Sequence, residues 1–396
     1  MSFPGIGAVR AGFPCLATPG RIWLDSAATS LKLKTVIETV SGYYSGWCGT
    51  VGRSSHAAAE EASHAVQEVR RVMARYLGVE DPAGIIFVPG TTGGINLLAR
   101  AWNSGRIVTS RLEHHSNLLP WHDAARRNAA EIESVGLDSR GGIDMEALER
   151  ALRRPAGLVA LSMRSNVTGA VLDCRRAADL AHRAGAVLFV DAAQEAARGP
   201  MNLLNDGVDA ASFSSHKMHG PTGSGVLWVR PDLLERLDRV ESGGGMALQV
   251  DDDEMVVRIG HARFEAGTPH IAGILGMGSA ARWLMAIGRE TITEYEDGLG
   301  AYLHQELARL DGVRIFSCGG GILSCTITGW HPHDAADQLD QRGFAVRAGT
   351  LCAQPCLRAL GVDSLLRASL AIHSTCEECQ AFADAVRDLI LQGGFR

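Results

Sequence analysis

Lysine is nearly missing from this chain. Of its 38 Lys and Arg residues only three are lysine, Lys32, Lys34 and Lys217. A guanidinium stays protonated and is a poor nucleophile, whereas an amine can lose its proton and condense with a carbonyl. A solitary lysine in the body of such a chain is a candidate imine former, although composition alone leaves a chance surface lysine equally open. Long apolar runs are also lacking: no stretch of 18 apolar residues occurs, which argues against a membrane span. There is no basic block, and a net charge of −6 with a pI of about 6.2 argues against nucleic acid or an anionic membrane as partner. Residues 1–20 carry one Arg and are broken by Gly and Pro, without the apolar run of a signal peptide, so a cytoplasmic location is expected. The nine cysteines are odd in number and scattered, which fits free thiols better than a disulfide framework.

With 396 residues and 46% hydrophobic composition, the chain can bury a large core. Short apolar runs at 85–88, 106–109, 157–163, 186–190, 210–214 and 225–229 alternate with helical patterns at 92–102, 118–128 and 175–183. That alternation predicts an α/β fold with a mainly parallel sheet covered on both faces. A long helix is expected after the capping hydroxyls Ser54 and Ser55, ending at Gly78. Beyond residue 240 come a glycine run and the acidic residues 251–254, read as a solvated loop in preference to a metal site. A long apolar helix over 271–287 then leads to a smaller domain with strands near 322–328, 345–347 and 367–372 and helices over 301–310, 334–342 and 377–391.

Three features of the first part carry chemistry. Gly90-Thr91-Thr92-Gly93-Gly94 follows a strand and opens a helix, where backbone N–H groups, hydroxyls and the helix dipole make a phosphate cradle. Thr at a helix start is also ordinary capping. Asp191 ends a strand 26 positions before Lys217, where a carboxylate can keep a ring nitrogen protonated, or simply serve a turn. Lys217 lies in Ser214-Ser215-His216-Lys217 at the next strand end. An amine, a carboxylate and a phosphate cradle together suit pyridoxal 5′-phosphate (PLP).

These stretches resemble the class V, fold-type I aminotransferase superfamily. Within it the chain is similar to the cysteine desulfurases and selenocysteine lyases, especially the Suf type. Further matching stretches are Leu24-Asp25-Ser26-Ala27-Ala28, Glu113-His114-His115-Ser116-Asn117, Ser165-Asn166-Val167-Thr168-Gly169, Arg263-Phe264-Glu265-Ala266-Gly267-Thr268-Pro269 and Arg347-Ala348-Gly349-Thr350-Leu351-Cys352-Ala353. The resemblance implies a large PLP-binding domain over 22–265 with a seven-stranded sheet. It also implies a smaller α+β domain formed by 1–21 with 266–396, which includes the bridging helix and the catalytic-cysteine loop. Lys217 would carry the cofactor and move the Cα proton, Asp191 would pair with the pyridinium nitrogen, and Gln194 would bond the ring hydroxyl oxygen. His114 would stack on the ring. Thr91, Thr92, Ser214 and His216 would hold the phosphate, joined by the partner subunit's Thr268 in a homodimer. Asn166 and Arg367 would hold the substrate carboxylate.

Cys352 separates a desulfurase from an aminotransferase. It precedes Pro355 in a loop-like run with Arg347 nearby, a setting in which a thiolate can form and reach a substrate sulfur. The implied reaction converts L-cysteine to L-alanine and passes sulfur from a Cys352 persulfide to an acceptor, which can be a protein. The alternative is a selenocysteine lyase, another PLP-dependent C–S lyase or an aminotransferase-like enzyme acting on a different amino acid. Several positions depart from the family: Leu351 where many relatives have His, His373-Ser374 for Tyr-Asn, His270 for Asn, and Gly52 for His. Cys356 is an extra thiol read chiefly as a bystander, and Cys376 and Cys379 are read as core or surface thiols without a metal role.

Overall fold

The computed structural model describes residues 5–52, 55–252 and 254–393. A seven-stranded sheet runs in the order Ile85–Val88, Gly225–Val229, Ala210–Ser214, Val187–Asp191, Leu158–Ser162, Ile107–Ser110, Ile132–Val135. Gly225–Val229 alone runs opposite to the other six strands. The central strands are buried along nearly their whole length because helices cover both faces, so no alternation is needed. Their shared direction brings Val88, Ser110, Ser162, Asp191 and Ser214 to one edge of the sheet, the carboxyl edge where α/β sheets collect ligands.

A second, antiparallel sheet of four strands is ordered Val313–Ile315, Ile322–Ile327, Leu365–Ser369, Arg347–Gly349. The N-terminal segment joins it: Ile22–Trp23 pairs in parallel with Phe344–Ala345, and Asp25 bridges Ser369. Ile271–Ile287, apolar nearly all round and largely buried, packs against the helices Ala57–Leu77 and Lys34–Gly42. It bends by 79° into Arg289–Ala308 at Gly288, whose φ of 94° suits glycine. No single helix among the described residues is long and apolar enough to cross a membrane.

The structure adjusts several sequence expectations. Helix 57–77 is capped by His56, whose side chain accepts the Ala59 N–H, while Ser54 lies outside the described residues. The helix expected from 301 begins at Arg289, because Ile292, Tyr295, Leu299, Leu303 and Leu307 continue one buried stripe back to Gly288. The strand Ile132–Val135 was not anticipated. It is an edge strand in which Glu133 and Ser134 separate its two β-branched residues, Ile132 and Val135, so it has no apolar run. Asp251, Asp252 and Glu254 sit at the turn of a hairpin between Ala247–Val250 and Met255–Val257, and Asp253 lies outside the described residues.

One buried ion pair anchors the segment that leaves the large sheet. Arg70, 3% exposed on Ala57–Leu77, forms a two-pronged bond to Glu265, with Nη1–Oε1 2.9 Å and Nη2–Oε2 2.8 Å. Glu265 Oε1 also accepts the Phe87 N–H at 2.7 Å, and the guanidinium lies 4.4 Å over the Phe87 ring. Removing one partner of such a pair strands the other charge. Glu265→Gln is expected to lower unfolding free energy by about 2–3 kcal/mol, read as a lower urea midpoint with an unchanged slope.

Candidate active site

A cleft of about 360 Å³ opens between the carboxyl edge of the large sheet and the small sheet. Asp191 ends its strand beside Ser162, its register partner, and both line the cleft. Its Oδ1 accepts the Ala193 N–H at 2.9 Å. Burial pushes the carboxyl above the ordinary range, opposed by that hydrogen bond and by the charge of Lys217. Lys217 sits in the single turn Ser215–Lys217 that follows Ala210–Ser214. Burial lowers its amine, Asp191 opposes the shift, and Arg367 adds to it. A lysine held below its usual range is easier to deprotonate. Gln194 reaches the same cleft and donates from Nε2 to Ala27 O at 2.8 Å.

The glycine turn after Ile85–Val88 borders the cleft at another side. Gly90 has φ 150°, and a Cβ on it would stand 3.0 Å from Ser214 Oγ, so the close approach of the two turns requires glycine. Ser214 Oγ accepts the Thr91 N–H at 2.8 Å and pairs with Thr91 Oγ1 at 2.7 Å. Thr92 Oγ1 meets Ser116 Oγ at 2.8 Å. As first-turn positions of Thr91–Ala101, Thr92 and Gly93 have N–H groups without intrahelical acceptors, at the positive end of the helix. His216 Nδ1 lies 3.2 Å from Thr29 Oγ1, and burial with the nearby charges of Lys217 and Lys32 pushes its ring down to about 4.

His114 Nδ1 accepts the Ser116 N–H at 3.1 Å, which leaves the proton of the neutral ring on Nε2. Burial, then Lys217, His115 and Arg367, push this ring down to about 3. Across the cleft, Arg367 is 3% exposed. Its Nη1 donates to Asn166 O at 2.9 Å, its Nη2 lies 3.3 Å from Asp25 Oδ1, and its buried Nε has no partner. Asn166 Nδ2 donates to Leu351 O at 2.9 Å. A buried guanidinium with a spare N–H in a cleft can bind a carboxylate.

Leu351 and Cys352 both occupy the left-handed region, with φ of 53° and 51°. The turn is held by the segment after strand Ile107–Ser110, where the His115 N–H donates to Cys352 O at 2.8 Å. The Cys352 residue is exposed at the cleft, whereas burial pushes Cys174, Cys325, Cys356 and Cys379 up to about 12. Leu351 is buried and offers only its carbonyl, so no imidazole stands beside the thiol in sequence. His373 is buried against Phe13 and His219, away from the cleft lining. Of the twelve site residues named from sequence, only Thr268 is not at this cleft. It is exposed and lines a separate groove with His270.

A profile of the class-V aminotransferases matches residues 22–382. The chain belongs to the class-V aminotransferase family. It is 38% identical over 394 residues to a probable cysteine desulfurase of Chlamydia trachomatis, covering 96% of this chain and 98% of the relative. It is 35% identical to the cysteine desulfurase CsdA of Escherichia coli, over 95% and 96% of the two chains. The crystal structure of E. coli CsdA superposes with a TM-score of 0.91 at 34% identity, covering 99% of each chain. The apo cysteine desulfurase of Thermococcus onnurineus superposes at 0.94 and 32% identity, also covering 99% of each chain.

Two carboxylates to which the sequence motifs assign no role organise this class-V aminotransferase site. Asp25 binds both Arg367 and Arg347, the latter at 2.7 Å. Glu113, fully buried, accepts from Ser110 Oγ and Ser162 Oγ at 2.5 Å and from Asn117 Nδ2 at 2.6 Å. It thereby ties the His114 turn to two strand ends. Their only signal is their place inside the motif stretches. Burial pushes Glu113 up to about 7, above its unfolded value, so the folded state binds the extra proton. Its contribution to stability is therefore complete at low pH and lost as pH rises from about 4.5 to about 7. Glu113→Gln is expected to flatten that part of the stability profile relative to wild type, by up to about 3 kcal/mol in urea melts across this range.

Proposed function

We propose that this protein is a PLP-dependent cysteine desulfurase that converts L-cysteine to L-alanine and hands the sulfur, through Cys352, to an acceptor. The observation that carries the reading is the convergence of Lys217, Asp191 and an exposed Cys352 on one cleft beside the unpartnered Nε of Arg367. The desulfurase names of the relatives support it. The residues present fit the cofactor: an amine for the aldehyde, a carboxylate for the ring nitrogen, and hydroxyls with free N–H groups at a helix start for the phosphate. Lys217, Asp191, Gln194, His114, Thr91, Thr92, Ser214 and His216 would hold it.

When bound, PLP supplies an electron sink that makes the substrate Cα–H acidic and the Cβ–S bond breakable. The residues do the rest. Arg367 and Asn166 orient the substrate carboxylate, and Arg367 is itself kept in place by Asp25. Lys217 Nζ takes the Cα proton and later returns one. The neutral His114 ring presents a flat face without adding charge. The Cys352 thiolate attacks the substrate sulfur: an S–S bond forms, the Cβ–S bond breaks with its electron pair on carbon, and protonation there completes alanine. An acceptor thiol or reductant then removes the sulfur from Cys352.

The same reading includes the division into a large domain over 22–265 and a small one from 1–21 with 266–396. It also includes a homodimer in which the partner subunit's Thr268 reaches the phosphate, and a cytoplasmic location, supported by nine free cysteines. With L-cysteine and a thiol reductant, equal amounts of alanine and sulfide are expected. Pyruvate with ammonia would instead indicate β-elimination, and faster turnover of selenocysteine would favour a selenocysteine lyase. Cys352→Ala is expected to lose at least about 10²-fold in cysteine turnover while retaining the visible absorbance of bound PLP, and full activity in that variant would refute the persulfide route.

A further inference from the structure

Lys32, one of the two other lysines, is not a surface charge. Its Nζ donates to Ser30 O at 2.7 Å, to His216 O at 2.8 Å and to Thr29 Oγ1 at 3.2 Å. His216 O belongs to the peptide bond that carries Lys217. The same oxygen takes the Ser30 N–H and Ser30 Oγ at 3.0 Å each and Thr29 Oγ1 at 3.2 Å. Ser30 Oγ in turn accepts the His219 N–H at 2.7 Å, on the other side of Lys217. Residues 29–32 therefore grip the lysine turn both before and after Lys217. By contrast Lys34 is exposed and reaches Glu38 at 3.8 Å. A half-buried ammonium stays in place only where carbonyls replace its water, and bonds from an ionised donor are the stronger kind.

We infer that Lys32 is a positioning residue for Lys217: its ammonium clamps the His216 carbonyl and so fixes the turn from which the Lys217 side chain departs. The inference rests on Lys217 being the lysine that carries the cofactor. Nothing in the implied chemistry assigns Lys32 a task, and its side chain does not line the cleft. The clamp is sensitive to pH. Burial brings Lys32 down to about 8, opposed by the Cys15 thiol of the Pro14–Ala17 turn. The other titratable groups facing it, His216 and His219, are both held near 4, so they stay neutral where Lys32 titrates. The ammonium is present below about pH 8 and is lost as pH rises through that value.

The test compares wild type, Lys32→Gln, Lys32→Arg and the exposed control Lys34→Gln, all loaded with PLP. Visible circular dichroism of the bound cofactor reports how rigidly it is held. Lys32→Gln is expected to lose most of that signal and roughly tenfold in kcat, with KM within about twofold, while Lys34→Gln matches wild type. The wild-type signal should fall as pH rises through about 8, and in Lys32→Arg, which stays charged, it should not. Cys15→Ser should keep the wild-type fall. If Lys32→Gln lowers the melting temperature but keeps the dichroism and kcat, Lys32 is only a structural residue and the inference is overturned. If it does not fold, identical pH profiles for wild type and Lys32→Arg overturn it equally. A wild-type protein that takes up no PLP would defeat the functional reading alone. Trace acetylation of Lys217, read by peptide mass spectrometry on the same variants, would then still decide the clamp: a several-fold change in Lys32→Gln supports it, and an unchanged rate refutes it.

Discussion

Two arginines face each other across a strand pair, and the site depends on how their repulsion is relieved. Arg347 and Arg367 are register partners on adjacent antiparallel strands, an arrangement that costs stability unless an anion intervenes. Asp25 is that anion: its Oδ2 accepts from Arg347, and its Oδ1 accepts from both arginines. It comes from the N-terminal segment, whose pairing with Phe344–Ala345 brings it to the small sheet. One carboxylate thus joins the N-terminal segment, two strands of the small sheet and, through Arg367 and Asn166, the loop that follows Leu158–Ser162 of the large sheet. Because Asp25 occupies Nη2 and Asn166 O occupies Nη1, the Nε of Arg367 is left with its proton pointing to no protein acceptor.

The second constraint is dryness. His114, His216 and Lys217 all shift toward their neutral forms, and burial is the first cause each time. The same burial pushes Asp191 and Glu113 upward. The arginines cannot give up their protons so readily, so they supply the lasting positive charge of the cleft, which suits phosphate and carboxylate ligands. The scarcity of lysine has a physical consequence here. With arginine used elsewhere, the amines near the cleft are Lys217, whose pKa is lowered by burial, and Lys32, which is bound to three oxygens.

Much of the large sheet was legible because its central strands are buried on both faces and so read as short, mostly apolar runs. Helix Ile271–Ile287 was legible to the residue for the same reason, being apolar all round and ended by Gly288. Ile132–Val135 was not, because an edge strand with one polar neighbour after another has no period to read. Glu113 and Asp25 were visible only as letters inside motifs. A carboxylate's importance depends on what surrounds it, and their partners lie up to 49 and 342 positions away.

The sequence by itself determined the sheet-and-helix alternation, the singular Lys217, the glycine turn before Thr91 and the family, since local pattern and residue chemistry suffice for these. Lys217 is also where tertiary structure had the final say. The sequence could pair it with Asp191 only by assumption, whereas parallel register places both at one sheet edge. Only the fold decided that Cys352, 135 positions beyond Lys217, opens onto the same cleft, and that Thr268 does not. Only the fold showed that Lys32 is bonded to the lysine turn. The reason is that burial and hydrogen bonding across long separations set a group's charge and reach, and neither is a property of a residue's neighbours in the chain.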